Sequence, residues 1–529
     1  GRGRQFLEEY LLYTAFTRSS EILYLLYHEH GADGAAANPS SVAADFKQLF
    51  PGLITQPAAD AAAPYALGGD RALLDALSRY LAGLKSGENL DPAADAFWRG
   101  VCRKLAAAGK LSAEVAALGR GLSYQADQTK LKPQQVAALY PERNYTSVSR
   151  LERFNSCPCR YYAGYGLNLR PRAEFKLQTS DVGSLYHYVL AEVLSRLTEA
   201  NCDWAQLSEA DVLPLVEKAM QDFAAGGLSD IFRDSGKNSY AAEKIRRVAC
   251  RALLDTAANL AAGSFRPLAL ELSFGRWGKN VLAPLVIELS DGARVKLRGQ
   301  IDRVDIAAGS GADYLRVIDY KMQNKTLTAA DIYYGLNWQL PLYLAALLQD
   351  AGARGQNVRP AGMFYVPVQE IIKSVRSDDE EGAAVRLQGL AILDAEALTL
   401  AERDLEPGHN AKTMTVRLNK DMTYGKGTLG LSPAEYKFVQ ACLQEEAAEK
   451  LAAINRGEVG QLPVAPSGRP VCEYCDYYAL CAVDLAVSAR FCPIDKLEKT
   501  EVIRRFAAKY PAKARQMLTV AEEVPHGVD

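Results

Sequence analysis

Three thiols fall within ten residues near the end of the chain, in CEYCDYYALC at 472–481, a C-x2-C-x5-C spacing. Zinc and iron–sulfur clusters are usually held by four ligands, so this triplet needs a fourth from elsewhere. FNSCPCRYY supplies Cys157 and Cys159, more than 300 residues upstream. A centre assembled from both stretches would tie the two ends of the intervening fold together and close a very long loop, which removes unfolded-state entropy. The alternative for such thiols is burial without a ligand, and that is the expectation for the isolated Cys102, Cys202, Cys250, Cys442 and Cys492. Ten cysteines without an export signal argue for metal ligation or free thiols rather than a disulfide framework.

At 529 residues the chain is long enough for two or three domains with a large core. Apolar residues make up 49% and charged residues 23%, with no uninterrupted apolar run of membrane-spanning length, which predicts a soluble globular protein and no membrane span. Net charge is −2, so any nucleic-acid contact must be local rather than a property of the whole surface. The opening GRGRQFLEEY has neither an initiator Met nor the apolar core of a signal peptide, so the start is read as an internal boundary and the protein as cytoplasmic.

EEYLLYTAFTRSSEILYLLY reads as an amphipathic helix running into a strand-like apolar run, followed by a Gly/Asp/Asn/Pro loop at 30–41. Residues 40–140 are Ala- and Leu-rich with helical spacing, and PERNYTSVSR at 141–150 marks a domain boundary. Beyond it, helices are expected at 181–200 and 205–262. Strands are expected in LALELSF, VLAPLVIELS, ARVKLRGQIDRVDIA and YLRVIDYKM, then a helix through NWQLPLYLAALLQD, a strand in AGMFYVPV and a helix over 431–457. GQLPVAPSGRPV reads as the loop that leads into the cysteines.

The sharpest chemical feature is RVIDYKM. On a strand, Asp319 and Lys321 project to one face while Ile318 and Tyr320 point to the other. RGQIDRVD supplies Asp302, a second carboxylate that an antiparallel neighbour would bring beside Asp319. Two carboxylates with few other protein ligands suit Mg²⁺, completed by waters and substrate phosphate, with Lys321 placed to orient water or stabilise phosphate charge. A D-x-K tripeptide alone is also what a weak surface ion pair looks like. Its company gives it weight: His187 lies on a predicted helix, and Gln339 and Tyr343 share a helical face at i and i+4. Arg150, Arg153, Arg160, Arg170 and Arg172, interleaved with Tyr161, Tyr162 and Tyr165, have the guanidinium and ring content of a single-stranded nucleic-acid groove.

In order, SRLERFNSCPCRYYAGYGLNLR, GSLYHYVL, GQIDRVD, VIDYK, QLPLY and CEYCDYYALC resemble the RecB-type PD-(D/E)XK nuclease domain, and in particular that of the B subunits of AddAB (RexAB) helicase–nucleases. The resemblance implies an α/β, restriction-endonuclease-like core with helical additions over 145–500, a C-terminal helical tail over 501–529, and over 1–140 a mostly helical remnant of a superfamily 1 helicase-like domain. It implies metal-binding Asp302 and Asp319, a catalytic Lys321, a metal-proximal His187 and a Q-x3-Y pair, Gln339 and Tyr343. Cys157, Cys472, Cys475 and Cys481 would hold a [4Fe-4S] cluster, or alternatively Zn²⁺; the family's S-C-P favours Cys157 over Cys159. Arg18 falls where the helicase motif has its ATP-contacting arginine, but no G-x-x-x-x-G-K-[ST] occurs, so this chain carries no P-loop. The function implied is a Mg²⁺-dependent exonuclease subunit that trims the 5′-ended strand of double-strand DNA breaks for homologous recombination, paired with an AddA/RexA-type helicase–nuclease subunit. The alternatives are a nuclease-dead DNA-binding scaffold and a related Fe–S nuclease of CRISPR adaptation.

Overall fold

The structure is a computed structural model of the chain. It describes residues 2–28, 40–55, 69–86, 91–109, 111–123, 130–142, 144–170, 179–225, 236–275, 281–322, 325–368, 385–421, 423–425, 428–466, 468–481, 483 and 491–518. Two compact units divide it, Gly1–Gln125 and Ala126–Asp529.

The first unit holds helices α1 (Arg2–Thr17), α2 (Ser41–Leu49), α3 (Asp70–Ser86), α4 (Pro92–Ala108) and α5 (Ser112–Ser123). Asp91 starts α4 by accepting the Ala94 N–H at 3.3 Å, and Pro92 occupies the first turn, where its missing N–H costs nothing. Tyr80 of α3 stacks on Trp98 of α4 at 5.8 Å and donates its hydroxyl to Asp95 at 2.7 Å. The strand expected after the first helix is absent: residues 22–28 are irregular, and Arg18 is exposed just past α1. A strand persists only when paired, and among the described residues this segment has no partner strand. Most of the loop expected at 30–41 lies outside the described residues.

Among the described residues the second unit is built on a mixed sheet of nine strands: β1 (Tyr145–Ser147), β2 (Arg266–Phe274), β3 (Val281–Leu282), β4 (Leu285–Glu288), β5 (Arg294–Ala308), β6 (Asp313–Lys321), β7 (Val358–Pro367), β8 (Gln388–Ile392) and β9 (Gly430–Leu431). The order is β3-β2-β5-β6-β7-β8-β9, with β1 and β4 both pairing the N-terminal part of the long β5. Helices cover both faces, which is why β6 reads as an apolar run rather than an alternation. Leu315 and Val317 pack toward α7 (Val148–Ser156), α13 (Gln339–Ala353) and α15 (Pro433–Asn455). Tyr314, Ile318 and Tyr320 pack toward α9 (Thr179–Glu199), α10 (Glu209–Ala225) and α11 (Gly236–Ala262). The Pro/Gly stretch before the cysteines contains a short strand, β10 (Val464–Pro466), paired in parallel with β11 (Cys492–Ile494). Among the described residues no helix is long and apolar enough to cross a membrane.

Beneath the sheet lies a fully buried ion network. Asp305 accepts two bonds from Arg303, at 2.7 and 2.8 Å, and one from Arg316 at 2.8 Å. Arg303 also donates to the Tyr320 hydroxyl at 3.1 Å, and the Arg316 guanidinium lies 4.4 Å from the Phe265 ring centre. Burial alone would raise the Asp305 pKa, but the two guanidinium groups overcome it and hold the carboxyl below its ordinary range. Asp305→Ala leaves two buried cations uncompensated and lowers unfolding free energy by about 3–5 kcal/mol, read from urea denaturation at neutral pH. Because the native pKa is depressed, the Asp305 contribution is complete above the unfolded carboxyl's pKa of about 3.9 and is lost as pH falls through the native value. An unchanged urea midpoint in the variant would show that the network contributes nothing.

Candidate active site

The antiparallel ladder of β5 and β6 places Arg303 opposite Ile318. One step further along, Asp302 Oδ2 accepts the Tyr320 N–H at 2.8 Å, so Asp302 and Asp319 are neighbours at the end of the paired segment. Lys321, two residues on from Asp319, brings its Nζ to 2.5 Å from Asp319 Oδ2. Lys321 also donates to Gln339 Oε1 at 3.4 Å, and Gln339 Nε2 donates to the Tyr343 hydroxyl at 3.1 Å. On the other side, His187 of α9 sets Nδ1 3.2 Å from Asp302 Oδ2. All six residues singled out from the sequence therefore meet in one connected group.

Local sequence explains the positioning. Gly299, three residues before Asp302, lies under the rings of Phe274 and Tyr343, where a Cβ would collide with both. The helix α12 (Ala329–Tyr334) is capped by Thr328, whose hydroxyl accepts the Asp331 N–H at 3.0 Å. It stops at Gly335 with φ +74°, a left-handed turn that redirects the chain into α13 and delivers Gln339 on its first turn.

The group is electrostatically tense. Burial, then the charge of Asp302, pushes the Asp319 carboxyl up to about 7 despite the pull of Lys321 and His187. Burial would lower the His187 pKa, but hydrogen bonds to Asp302 and Glu271 and their charges push it up to about 10. Carboxylates gathered this closely disfavour one another's charge, which a divalent cation bound among them would offset. His187, Glu271 and Asp302 each offer a ligand atom, all within 4.8 Å of one another, and the buried Asp319 Oδ2 has no aligned hydrogen-bond donor even though Lys321 is close. Oxygen-rich donors with one imidazole fit a hard divalent cation.

Three residues here were not found from the sequence. Glu271, on β2, lies 3.7 Å from His187 Nδ1 and accepts from Gln300 Nε2. Its φ of +48° is rare for a side chain of this kind and marks a backbone held out of its comfortable range. The signal was a single acidic residue inside the otherwise apolar LALELSF. Glu152 of α7 accepts the N–H groups of both Trp338 and Gln339 at 2.8 Å, pinning the start of α13. Lys325 lies 5.0 Å from the Tyr365 ring centre, beside Lys321 at 5.7 Å over the same ring; burial, with some help from the Lys321 charge, keeps its ammonium pKa below the ordinary value against the pull of Glu152, Asp319 and Asp331. A helix carboxylate and a loop lysine carry no sequence signature that separates them from solvated charges.

The expected thiols also converge. Cys157, Cys472, Cys475 and Cys481 line one cavity of about 230 Å³, and Cys159 lines it as well. Burial pushes the Cys472 thiol up to about 11 and raises Cys157, while the backbone N–H groups of Arg160, Cys159 and Leu462 favour the Cys157 thiolate. Cys159 Sγ stands 3.7 Å from Cys481 Sγ, and this contact holds Cys481 down near 7 while raising Cys159. Five sulfurs around one cavity fit a group that takes four thiolates, with one to spare. The basic, aromatic stretch beside them is divided. Arg160 and Tyr162 face the thiol cavity, Tyr161 is buried against Phe154 and Tyr140, Arg150 and Arg153 lie over Tyr165, and Arg172 falls outside the described residues.

Glu152→Ala leaves two N–H groups at the start of α13 without their acceptor. The expected cost is about 1–3 kcal/mol in chemical denaturation, and a wild-type midpoint would remove Glu152 from the account of how Gln339 is placed.

Residues 145–482 match the family model described as the PD-(D/E)XK nuclease superfamily. The chain is 33% identical over 498 residues to the B subunit of the ATP-dependent helicase/deoxyribonuclease of Moorella thermoacetica, covering 92% of this chain and 42% of that protein. It is 34% identical over 522 residues to the protein of the same name from Desulforudis audaxviator, covering 95% and 44%, and 32% identical over 522 residues to that of Symbiobacterium thermophilum, covering 96% and 44%. It thus spans less than half the length of these curated relatives. With the strand-borne Asp302, Asp319 and Lys321 inside the matched region, the chain belongs to the PD-(D/E)XK nuclease superfamily.

Proposed function

We propose that this chain is the nuclease-bearing part of the B subunit of an ATP-dependent helicase–deoxyribonuclease, a Mg²⁺-dependent exonuclease that acts on the 5′-ended strand at double-strand DNA breaks in the cytoplasm and so prepares them for homologous recombination. The supporting observation is the meeting of Asp302, Asp319, Lys321 and His187 at the end of the β5–β6 ladder. In this reading residues 1–140 are the end of a helicase-like domain, 145–500 the nuclease and 501–529 a helical tail. Residues 1–529 carry no P-loop, and in this reading ATP-driven translocation belongs either to an AddA/RexA-type partner subunit or to a part of the B subunit outside these residues.

Asp302 and Asp319 with His187 would hold the cation, and Glu271 stands within ligand reach of His187 and Asp302. A bound divalent ion supplies Lewis-acid polarisation of the phosphate and lowers the pKa of a coordinated water. The chain's own groups do the rest. Lys321 faces the position of the scissile phosphate, where its ammonium offsets developing negative charge and orients the attacking water. Gln339, held by Tyr343, keeps Lys321 aimed, and Glu152 fixes the helix that carries Gln339. Cys157, Cys472, Cys475 and Cys481 hold a [4Fe-4S] cluster, or Zn²⁺ in its place, as a structural clasp.

Degradation of end-labelled single- and double-stranded DNA in Mg²⁺, with and without the partner subunit and ATP, tests the reading. Asp319→Ala is expected to reduce cleavage at least about a thousandfold, because the Lewis-acid contribution is several kcal/mol, while DNA is still bound. Equal cleavage by the two proteins would sink the assignment, and the labelled end reports polarity. Cys472→Ser is expected to purify with little iron and to unfold at lower temperature; elemental analysis showing a full complement of zinc in the wild type would replace the cluster by Zn²⁺.

A further inference from the structure

Between β6 and α12 the chain carries a second lysine into the catalytic group. Lys325 is half-buried, and its ammonium lies 5.0 Å from the centre of the Tyr365 ring, while the Lys321 ammonium lies 5.7 Å from the same centre. Strand register explains the shared ring. β6 and β7 run in parallel with Asp319 opposite Tyr365, and aligned residues of paired strands project to one face of the sheet, so the ring stands beside the catalytic carboxylate. Tyr365 is fully buried and donates its hydroxyl to Asn337 Oδ1 at 3.4 Å, and Asn337 is buried as well. The ring is therefore a fixed platform for both ammoniums.

Two cations on one ring repel each other, and the carboxylates whose charge reaches Lys325 have other tasks. Glu152 Oε1 accepts the N–H groups of Trp338 and Gln339, each at 2.8 Å, and the Asp331 carboxylate accepts the Thr328 hydroxyl at 2.7 Å. Asp319 faces Lys321. Among the described residues no hydrogen bond or ion pair reaches the Lys325 ammonium, and burial works against its charge. The attraction of a ring face holds each ammonium in place without satisfying its N–H donors. The pair is matched to an anion that both can contact.

We propose that Lys325 is a second catalytic lysine, which donates with Lys321 to non-bridging oxygens of the scissile phosphate while Tyr365 spaces the two ammoniums. The identity of the anion rests on the nuclease reading above. Lys321 is tied to the carboxylate group through Asp319, and Lys325 is tied to Lys321 through the shared ring, so the phosphate both can reach is the one at Asp302 and Asp319. Lysine suits the task, since a compact charge with three rotatable donors can follow the oxygens as the phosphorus changes geometry. Donors fixed in a half-buried setting contribute most where charge redistributes in the transition state. The net step is addition of water across the P–O bond, and Lys325 neither gains nor loses a proton in it.

The test is the rate of cleavage of an end-labelled single strand at saturating protein in Mg²⁺, beside Asp319→Ala and with the partner subunit and ATP added in parallel. Lys325→Met keeps the apolar stem and removes the charge. It is expected to slow cleavage by about a hundredfold, as loss of one donor to transition-state charge does, while affinity for the strand in EDTA changes far less. A stereochemical readout separates contact from support. With sulfur in place of one non-bridging oxygen at the cleaved linkage, the slowing caused by Lys325→Met is expected to be smaller for one diastereomer than for the all-oxygen strand, because the sulfur has already weakened the contact. Lys325→Gln, with thermal unfolding followed for both variants, gives the same answer should the methionine variant fold poorly. Wild-type rates in both variants overturn the proposal. So does weaker binding with an unchanged rate at saturation, which would place Lys325 on a phosphate away from the reaction. Equal slowing for both diastereomers and the all-oxygen strand also overturns it, leaving Lys325 to act through Glu152 and α13. If the wild type cleaves nothing, the nuclease reading falls and this inference with it, whereas cleavage lost in Asp319→Ala and kept in Lys325→Met removes this inference alone.

Discussion

The register between β5 and β6 is the constraint on which the rest depends. Arg303 lies opposite Ile318, and that single pairing puts Asp302 against the backbone of Tyr320 and Asp319 beside it. A slip of one residue would send every side chain of β6 to the other face, carrying Asp319 and Lys321 toward α9–α11 and Tyr320 to the side of Asp302 and Gln339. What prevents the slip is buried beneath it. Asp305, two residues after Arg303 on the same strand, can satisfy Arg303 and Arg316 together only in this register. Arg303 and Asp305 of the DRVD motif thus hold the register that sets its first aspartate, Asp302, beside Asp319.

The same arrangement sets up an imbalance at the surface end of the ladder. Asp302, Asp319 and Glu271 are drawn together with His187 and Lys321 beside them and Lys325 further off, and Asp319 and His187 both have pKa values displaced from their ordinary positions. Groups pushed this far are common where chemistry is done, because the fold holds in place charges that would otherwise separate. The neighbouring side chains limit how the imbalance can relax: Lys321 is held toward Asp319 by Gln339, Gln339 by Tyr343, and the helix bearing both by Glu152.

The thiol cavity solves a different problem. The sheet is assembled from segments scattered between residues 145 and 431, and its helical cover continues to residue 518. Cysteines from α8 (Pro158–Tyr161) and its preceding residue meet those of the turn at 472–481, so a group bound by these thiols would join the start of this unit to its C-terminal part. Such a clasp acts mostly on the unfolded chain, whose freedom it removes. Packing already present in the sheet and its two cores does the remainder.

By itself the sequence determined the α/β class of the second unit, the strands that carry Asp302 and Asp319 and the helix that carries Gln339 and Tyr343, and it marked Cys472, Cys475 and Cys481 as a triplet in search of a partner from Cys157 or Cys159. These follow from local rules: the two-residue alternation of a strand, the four-residue return of a helix and the ligand number of a metal centre. Tertiary structure alone decided that Glu271, Glu152 and Lys325 join the catalytic group, that the arginines and tyrosines of 150–170 divide between a thiol cavity and an open cleft, that Cys159 becomes a fifth sulfur, and that residues 22–28 form no strand. The physical reason is common to all of them. A carboxylate, a guanidinium or a thiol acquires its role from what stands across the gap from it, and that neighbour is supplied by segments tens to hundreds of residues away, whose meeting no local periodicity encodes.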